Sequence, residues 1–274
     1  MEIIVTISNL EELETFKNVS SFLVVSKYFA SLEYETACTI RMTKIINKIN
    51  EDNKNAYVLI DRLMFDEDYE SLKQFITKME KLNVKGYFFA DLGVYDLLSK
   101  MGLKDKAMYY SQTQIVSTME GKEYFSLGMK GIFASRYLSY NKVKELAKDV
   151  SLGIKIFGYH NLFYSRRKLM TDFKEEFDMK GKYTSSSRYT IKEMKREVKN
   201  PIFENEFGTY IFTDYIDDHF DELKELEEVG LKYALVDTNL LDEELIKQLA
   251  SKIEDYSYSI NSTKRIIDTY KVGE

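Results

Sequence analysis

The stretch YFFADLGVYDLLSKMGLKDKAMYY, residues 87–110, decides how the chain folds. Tyr87 to Ala90 is an apolar run of strand length, and Ala107 to Tyr110 is another. Between them Val94, Leu97, Leu98 and Met101 recur at i, i+3 and i+4, the spacing of one buried helix face. Gly102-Leu103-Lys104 then ends the helix. Glycine takes up a left-handed cap at little cost, and the apolar residue behind it folds back onto the last helical turn. One strand, one helix, a short cap and the next strand make a β/α/β unit.

The same punctuation recurs along the chain. Asn83-Val84-Lys85, Gly128-Met129-Lys130 and Gly230-Leu231-Lys232 each follow a helical periodicity and precede an apolar run. Leu72, Phe75, Ile76, Met79 and Leu82 form one such helix face, and Val143, Leu146, Ala147 and Val150 another. Leu245, Ile246, Leu249 and Ile253 follow an N-cap at Asp242, while Ile40, Ile45, Ile46 and Ile49 make a looser stripe. Strand-length runs also lie at Ile3–Ile7, Phe22–Val25, Tyr57–Ile60, Ile132–Ala134, Lys155–Phe157 and Ala234–Val236. Runs this continuous suit strands buried on both faces of a parallel sheet. Eight β/α units in about 250 residues predict a closed (β/α)8 TIM-like barrel, with an open doubly wound sheet as the alternative.

Lys174 to Thr213 breaks the rhythm, with Ser185 to Ser187, a basic patch, Pro201 and then FENEFGTYIF. The last piece alternates around Gly208 as a hairpin does. The reading is one barrel domain over residues 1–274, with 174–213 as an insertion between the seventh and eighth units. A short helix bearing Ile266, Ile267 and Tyr270 is expected in the tail after Tyr256.

Composition narrows the function classes. Of 274 residues, 39 are Lys or Arg and 45 are Asp or Glu, a net charge of −6 that gives no general pull toward nucleic acid. Charge is uneven, however: Lys180 to Lys199 carries seven basic and two acidic residues, and Asp214 to Asp255 fourteen acidic and four basic. That contrast suits an anionic partner or simply two differently solvated surfaces. The one cysteine, Cys38, forms no intrachain disulfide and reads as a small buried residue; with two histidines it builds no ordinary zinc site. No leader or membrane-length apolar run is visible, so a cytoplasmic location without membrane contact is expected. No HExxH, phosphate loop or GxSxG elbow occurs.

A barrel gathers the residues just past each strand on one rim. Here these are Ser26 and Lys27, Asp61 and Arg62, Asp91, Ser111 and Gln112, Ser135 and Arg136, His160 and Asn161, and Asp237 to Asn239. Asp61, Asp91 and His160 are the candidate acid–base groups. Arg62, Gln112, Arg136, Asn161 and Asp237 are candidate ligand contacts, the arginines favouring an anionic small molecule, peptide or RNA. The bland alternative has the three aspartates capping helices or pairing with Arg62 and Arg136. His160 equally suits a backbone hydrogen bond, and His219, in Asp217-Asp218-His219, reads as a surface residue.

These segments, in this order, resemble the U-32 peptidase family, also called collagenase-like proteases. YVLIDRLMFDEDYESLKQF resembles its third strand, loop and helix, ADLGVYDLL its fourth-unit loop, and YYSQTQ its fifth-strand loop. GYHNLFYSRRKLM is similar to the signature segment, with Ser165 and Arg166 on its polar positions as further ligand contacts. NPIFENEFGTYIF and ELEEVGLKYALVD are similar to the later hairpin, helix and last strand. The resemblance implies either proteolysis or oxygen-independent hydroxylation of RNA or a quinone precursor. In the second case prephenate serves some members as hydroxyl source, and cysteines hold an iron–sulfur cluster. Here Lys168 stands at the signature cysteine position, the other cluster cysteines have no counterparts, and no cofactor is expected. A non-catalytic member that binds RNA or a partner through Lys180, Lys182, Arg188, Lys192, Lys195, Arg196 and Lys199 is a further alternative.

Overall fold

Each of the four repeated turns passes through a left-handed residue: φ is 54° at Asn83, 74° at Gly102, 88° at Gly128 and 105° at Gly230. Behind them Val84, Met129 and Leu231 are buried. The N–H groups of Leu103 and Leu231 donate back to the carbonyls of Leu98 and Leu226, closing the last helical turns. Asn53, at φ 58°, makes a fifth turn of this kind. It escapes the pattern because Lys54, not an apolar residue, follows it.

The computed structural model describes residues 1–26, 28–31, 39–179, 189–192, 194–195 and 197–255. Lys27, Cys38, Ser185 to Ser187, the basic residues Lys180, Lys182, Arg188 and Arg196, and the tail helix lie outside the described residues. Strands β1 (Glu2–Ile7), β2 (Ser21–Val25), β3 (Asn55–Ile60), β4 (Gly86–Phe89), β5 (Ala107–Tyr109), β6 (Gly131–Phe133) and β7 (Leu152–Gly158) pair in parallel in chain order. Helices α1 (Leu10–Thr15), α2 (Thr39–Glu51), α3 (Asp68–Glu80), α4 (Leu92–Lys100), α5 (Thr118–Ser126) and α6 (Tyr140–Leu146) alternate with them.

After β7 come β8 (Asn161–Ser165), α7 (Leu169–Glu176), β9 (Tyr189–Lys192), β10 (Lys199–Asn205), β11 (Gly208–Phe212) and the short β12 (Asp217–Asp218). The barrel then resumes with α8 (Leu223–Glu228), β13 (Tyr233–Val236) and α9 (Glu243–Asp255). β13 pairs in parallel with both β7 and β1, so β1–β7 and β13 close into an eight-stranded parallel barrel. The open sheet is thereby excluded. Among the described residues, no helix is long and apolar enough to cross a membrane.

Alternation along each strand builds two apolar layers. Outward residues such as Val5, Val24, Val58 and Phe89 pack under the helices, with Leu72, Ile76, Val94 and Leu98 among their partners. Inward residues fill the barrel: Ile4, Leu23, Tyr57, Leu59, Phe88, Met108, Phe133, Tyr233 and Leu235. Their rings meet edge-on or tilted, as in Tyr57–Phe88 at 5.5 Å and Phe88–Phe133 at 4.9 Å between centroids. Of the looser stripe in α2, Ile45, Ile46 and Ile49 are buried but Ile40 is 70% exposed.

The inserted strands form an antiparallel sheet in the order β8-β11-β10-β9. The hairpin expected around Gly208 joins β10 to β11, with the Phe207 N–H held by Asn205 Oδ1 at 2.9 Å. The sheet also takes in Asn161–Ser165, upstream of residue 174, because β8 pairs with β11. Thus the rim segment after β7 is itself a strand. β12 lies antiparallel on the end of β7, Asp217 opposite Gly158. That pairing overturns the surface reading of His219, which is 1% exposed with its N–H donated to the Ile156 carbonyl at 2.9 Å.

Candidate functional site at the mouth of the barrel

The inward series of four strands ends in polar residues. On β3 the alternation Tyr57, Leu59 continues to Asp61; on β5 Met108 leads to Tyr110; on β13 Tyr233 and Leu235 lead to Asp237; on β7 the inward position is Lys155. The apolar barrel is therefore topped by a layer of two carboxylates, a phenol and an ammonium.

Lys155 is buried at 6% exposure. Its Nζ donates to the Tyr159 carbonyl at 2.5 Å and stands 3.5 Å from Asp237 Oδ2. Burial lowers its pKa, against the nearby Asp237 and Asp217 carboxylates. Asp237 Oδ1 also accepts the Asn239 N–H at 3.1 Å. Between the two, Gly158 at φ 128° lets β7 turn toward the inserted sheet. A side chain there would meet the Asp237 carbonyl at 2.7 Å.

Asp61 holds the loop after β2, accepting the Ser31 N–H at 2.7 Å and the Ser31 hydroxyl at 2.8 Å. Burial raises the Asp61 carboxyl more than these hydrogen bonds lower it, and the charge of Asp237 adds to the rise. Tyr110 is pushed well up by burial and by both aspartates.

Above this layer lies a cavity of about 220 Å3 between the barrel mouth and the inserted sheet. Asp61, Tyr110, Gln112 and Ser31 line it from the barrel side, and Asn161, Leu162, Phe163, Tyr164 and Tyr210 from the inserted sheet. Gln112 Oε1 accepts the Asn161 N–H at 3.0 Å, tying the two sides together. Tyr164 stacks on Tyr210 at 4.8 Å. The Tyr164 hydroxyl donates to the Phe207 carbonyl at 3.2 Å, whereas the buried Tyr210 hydroxyl has no partner in hydrogen-bond geometry.

Four of the residues singled out from the sequence line this cavity: Asp61, Arg62, Gln112 and Asn161. Arg62 is already engaged, donating through Nε to the Tyr28 carbonyl at 3.0 Å, pairing through Nη2 with Asp68 at 3.0 Å and stacking on Phe207. Asp237 lies beneath the lining. Asp91 sits elsewhere, as the N-cap of α4: it accepts the N–H groups of Gly93 at 2.7 Å and Met64 at 3.1 Å, and the Tyr69 hydroxyl at 3.4 Å.

His160, Arg136, Ser165 and Arg166 are not in the lining. His160 Nε2 stands 2.6 Å from Asp217 Oδ2, with both side chains buried. Burial brings the ring down to about 4, the Lys155 charge adding to the effect, so it is neutral at pH 7. Arg136 donates to the hydroxyls of Tyr215 at 3.1 Å and Tyr137 at 2.8 Å. Ser165 Oγ accepts the Arg167 N–H at 3.2 Å. Arg166 lies over the Phe65 ring.

The sequence reading missed Lys155, Ser31, Tyr110 and Tyr210 as members of the site. Only Lys155 left a signal, as a charged residue at an inward position of a strand otherwise apolar on both faces. No group of three or more His, Cys, Asp and Glu side chains among the described residues could hold a metal ion. Lys168, at the signature cysteine position, is exposed, and the chain has a single cysteine. The residues present do not fit a cysteine-held cluster.

The sequence profile of Peptidase family U32 matches residues 36–265. The chain belongs to peptidase family U32. Its fold agrees: the solved structure of the U32 peptidase Mk0906 superposes with a TM-score of 0.56 over 86% of this chain and 92% of that one, at 14% identity. Two relatives carry a different label. The tRNA hydroxylation protein P2 of Bacillus subtilis is 23% identical over 208 residues, covering 72% of this chain and 65% of its own. The tRNA hydroxylation protein P of Helicobacter pylori is 26% identical over 172 residues, 58% of this chain and 40% of its own. An uncharacterized protease of Methanocaldococcus jannaschii is 22% identical over 105 residues, 38% of this chain and 25% of its own. The chain therefore spans less than two thirds of the length of each of these relatives.

Proposed function

We propose that this U32 barrel serves RNA modification by holding an RNA substrate at the barrel mouth, without supplying redox chemistry of its own. The observation that carries the reading is the pair of tRNA hydroxylation relatives, whose matches extend over 172 and 208 residues. The missing cysteine ligands support the second half: a chain that cannot hold a cluster can still bind and orient the RNA on which another component acts. Asp61, Gln112 and Asn161 contact the ligand in this reading. Lys155 and Asp237 hold the floor, and the inserted sheet covers the site. RNA held by phosphate contacts releases counterions, so affinity falls steeply with salt. Titration of bulk tRNA at several salt concentrations tests this; no binding, or a salt-independent affinity, would remove the reading.

One contact favours the older family label. Ser31 Oγ donates to Asp61 Oδ2 at 2.8 Å within the cavity, the nucleophile-and-carboxylate pair that hydrolysis of a peptide would use. His160 and Asp91, away from the lining, take no part in that reading. Cleavage of gelatin or casein, abolished by Ser31→Ala, is its test; equal activity in wild type and variant would dismiss it.

A further inference from the structure

The cavity at the barrel mouth differs in chemistry from the anion site that its arginines suggest in the sequence. Arg62 is the one cation in the lining, and its charge is met by Asp68 at 3.0 Å while its Nε is filled by the Tyr28 carbonyl. Arg136 and Arg166 are engaged elsewhere, on tyrosine hydroxyls and on the Phe65 ring. An anion entering the cavity would lose its water, meet the Asp61 carboxyl and gain no uncommitted cation, which is costly.

What the lining offers instead is flat apolar surface with a few placed polar groups. Phe163, Tyr164 and Tyr210 come from the inserted sheet, with Tyr110 on the barrel side. The Asn161 N–H fixes the Gln112 carboxamide through its oxygen, so the NH2 end is the one left to donate. The Tyr210 side chain is 1% exposed, and its hydroxyl meets no partner. A buried hydroxyl without a partner calls for one, and a polar ligand in the cavity supplies it. At about 220 Å3 the space falls below the roughly 300–1,000 Å3 of pockets for drug-sized ligands. It suits a single ring.

We infer that this cavity is a subsite for one uncharged, planar, hydrogen-bonding ring, a single-ring nucleobase turned out of an RNA strand, with Gln112 and Tyr210 as its specificity contacts. This rests on the RNA reading above and names the part of the RNA that enters. A base fits because it presents donors and acceptors on its edge and an apolar face to aromatic side chains. No covalent step is implied.

The test uses saturation-transfer NMR on the full chain with uridine, benzoate and inorganic phosphate as probes, beside tRNA titration of the same sample. Uridine is expected to receive saturation, and benzoate and phosphate none. Gln112→Ala and Tyr210→Phe should each weaken uridine binding roughly tenfold, the loss expected for one buried hydrogen bond. Tyr210→Phe keeps the stacked ring, so it reports the hydroxyl without disturbing the sheet core. Uridine that fails to bind while tRNA binds would overturn this subsite and leave the RNA reading standing. Preference for benzoate or phosphate, or uridine binding equal in wild type and both variants, would overturn it as well. Uridine bound as expected without tRNA affinity would keep the ring site and end the RNA reading.

Discussion

Substituting Lys155 by methionine removes the one ammonium in the floor of the site while keeping the length of the side chain. Asp237, 8% exposed, then loses the cation 3.5 Å from it, and the Tyr159 carbonyl loses its donor. Removing one partner of a buried pair costs about 3–5 kcal/mol, because a charge is left buried and unmatched. For a chain of this size each kcal/mol moves the melting temperature by about 2–4 °C, so Lys155→Met should melt roughly 6–20 °C below wild type by calorimetry. The double variant Lys155→Met with Asp237→Leu removes both charges and should regain at least half of that loss. A single variant within 2 °C of wild type would refute the buried pair. So would a double variant that melts as low as the sum of the two single substitutions.

Three further outcomes follow from the same geometry. His160 titrates at about 4 when folded against its ordinary 6.5, so below pH 6.5 the unfolded chain takes up the proton first. Stability should therefore fall as pH drops from 6.5 to 4, by about 3 kcal/mol at most, and His160→Gln should flatten that slope in melting curves. Asp91→Ala removes the cap of α4 and the acceptor for the Met64 N–H, and should cost about 1–2 kcal/mol in thermal stability while leaving uridine binding at the cavity unchanged. Gly158→Ala forces a Cβ against the Asp237 carbonyl at a left-handed position; a loss of about 1–3 kcal/mol is expected, against none if β7 can turn without glycine.

The barrel was legible because its signals are local. Gly102 with Leu103 marks a helix end within three residues, and four such marks fix the rhythm of the β/α units. Asp91 was legible in both its readings, and only the Met64 and Gly93 contacts decide for the cap. What escaped depends on partners distant in sequence. Asn161–Ser165 reads as a rim loop until β11 arrives to pair with it. Arg62 looks like a free anion ligand until Asp68 folds back onto it. His219 looks solvated beside two aspartates, but β12 docks on β7 and carries it inside. Tyr110 and Tyr210 carry no sequence mark at all, since an aromatic at a buried strand position is ordinary core; their place in a cavity follows from how the inserted sheet sits over the mouth.

The most direct test of where RNA docks is amide hydrogen exchange of the full chain with and without tRNA. Slowed exchange at residues 110–113 and 161–164, on the two walls of the cavity, is the predicted result. Protection confined to the helical exterior of the barrel, with those two segments exchanging as in the free chain, would contradict the account.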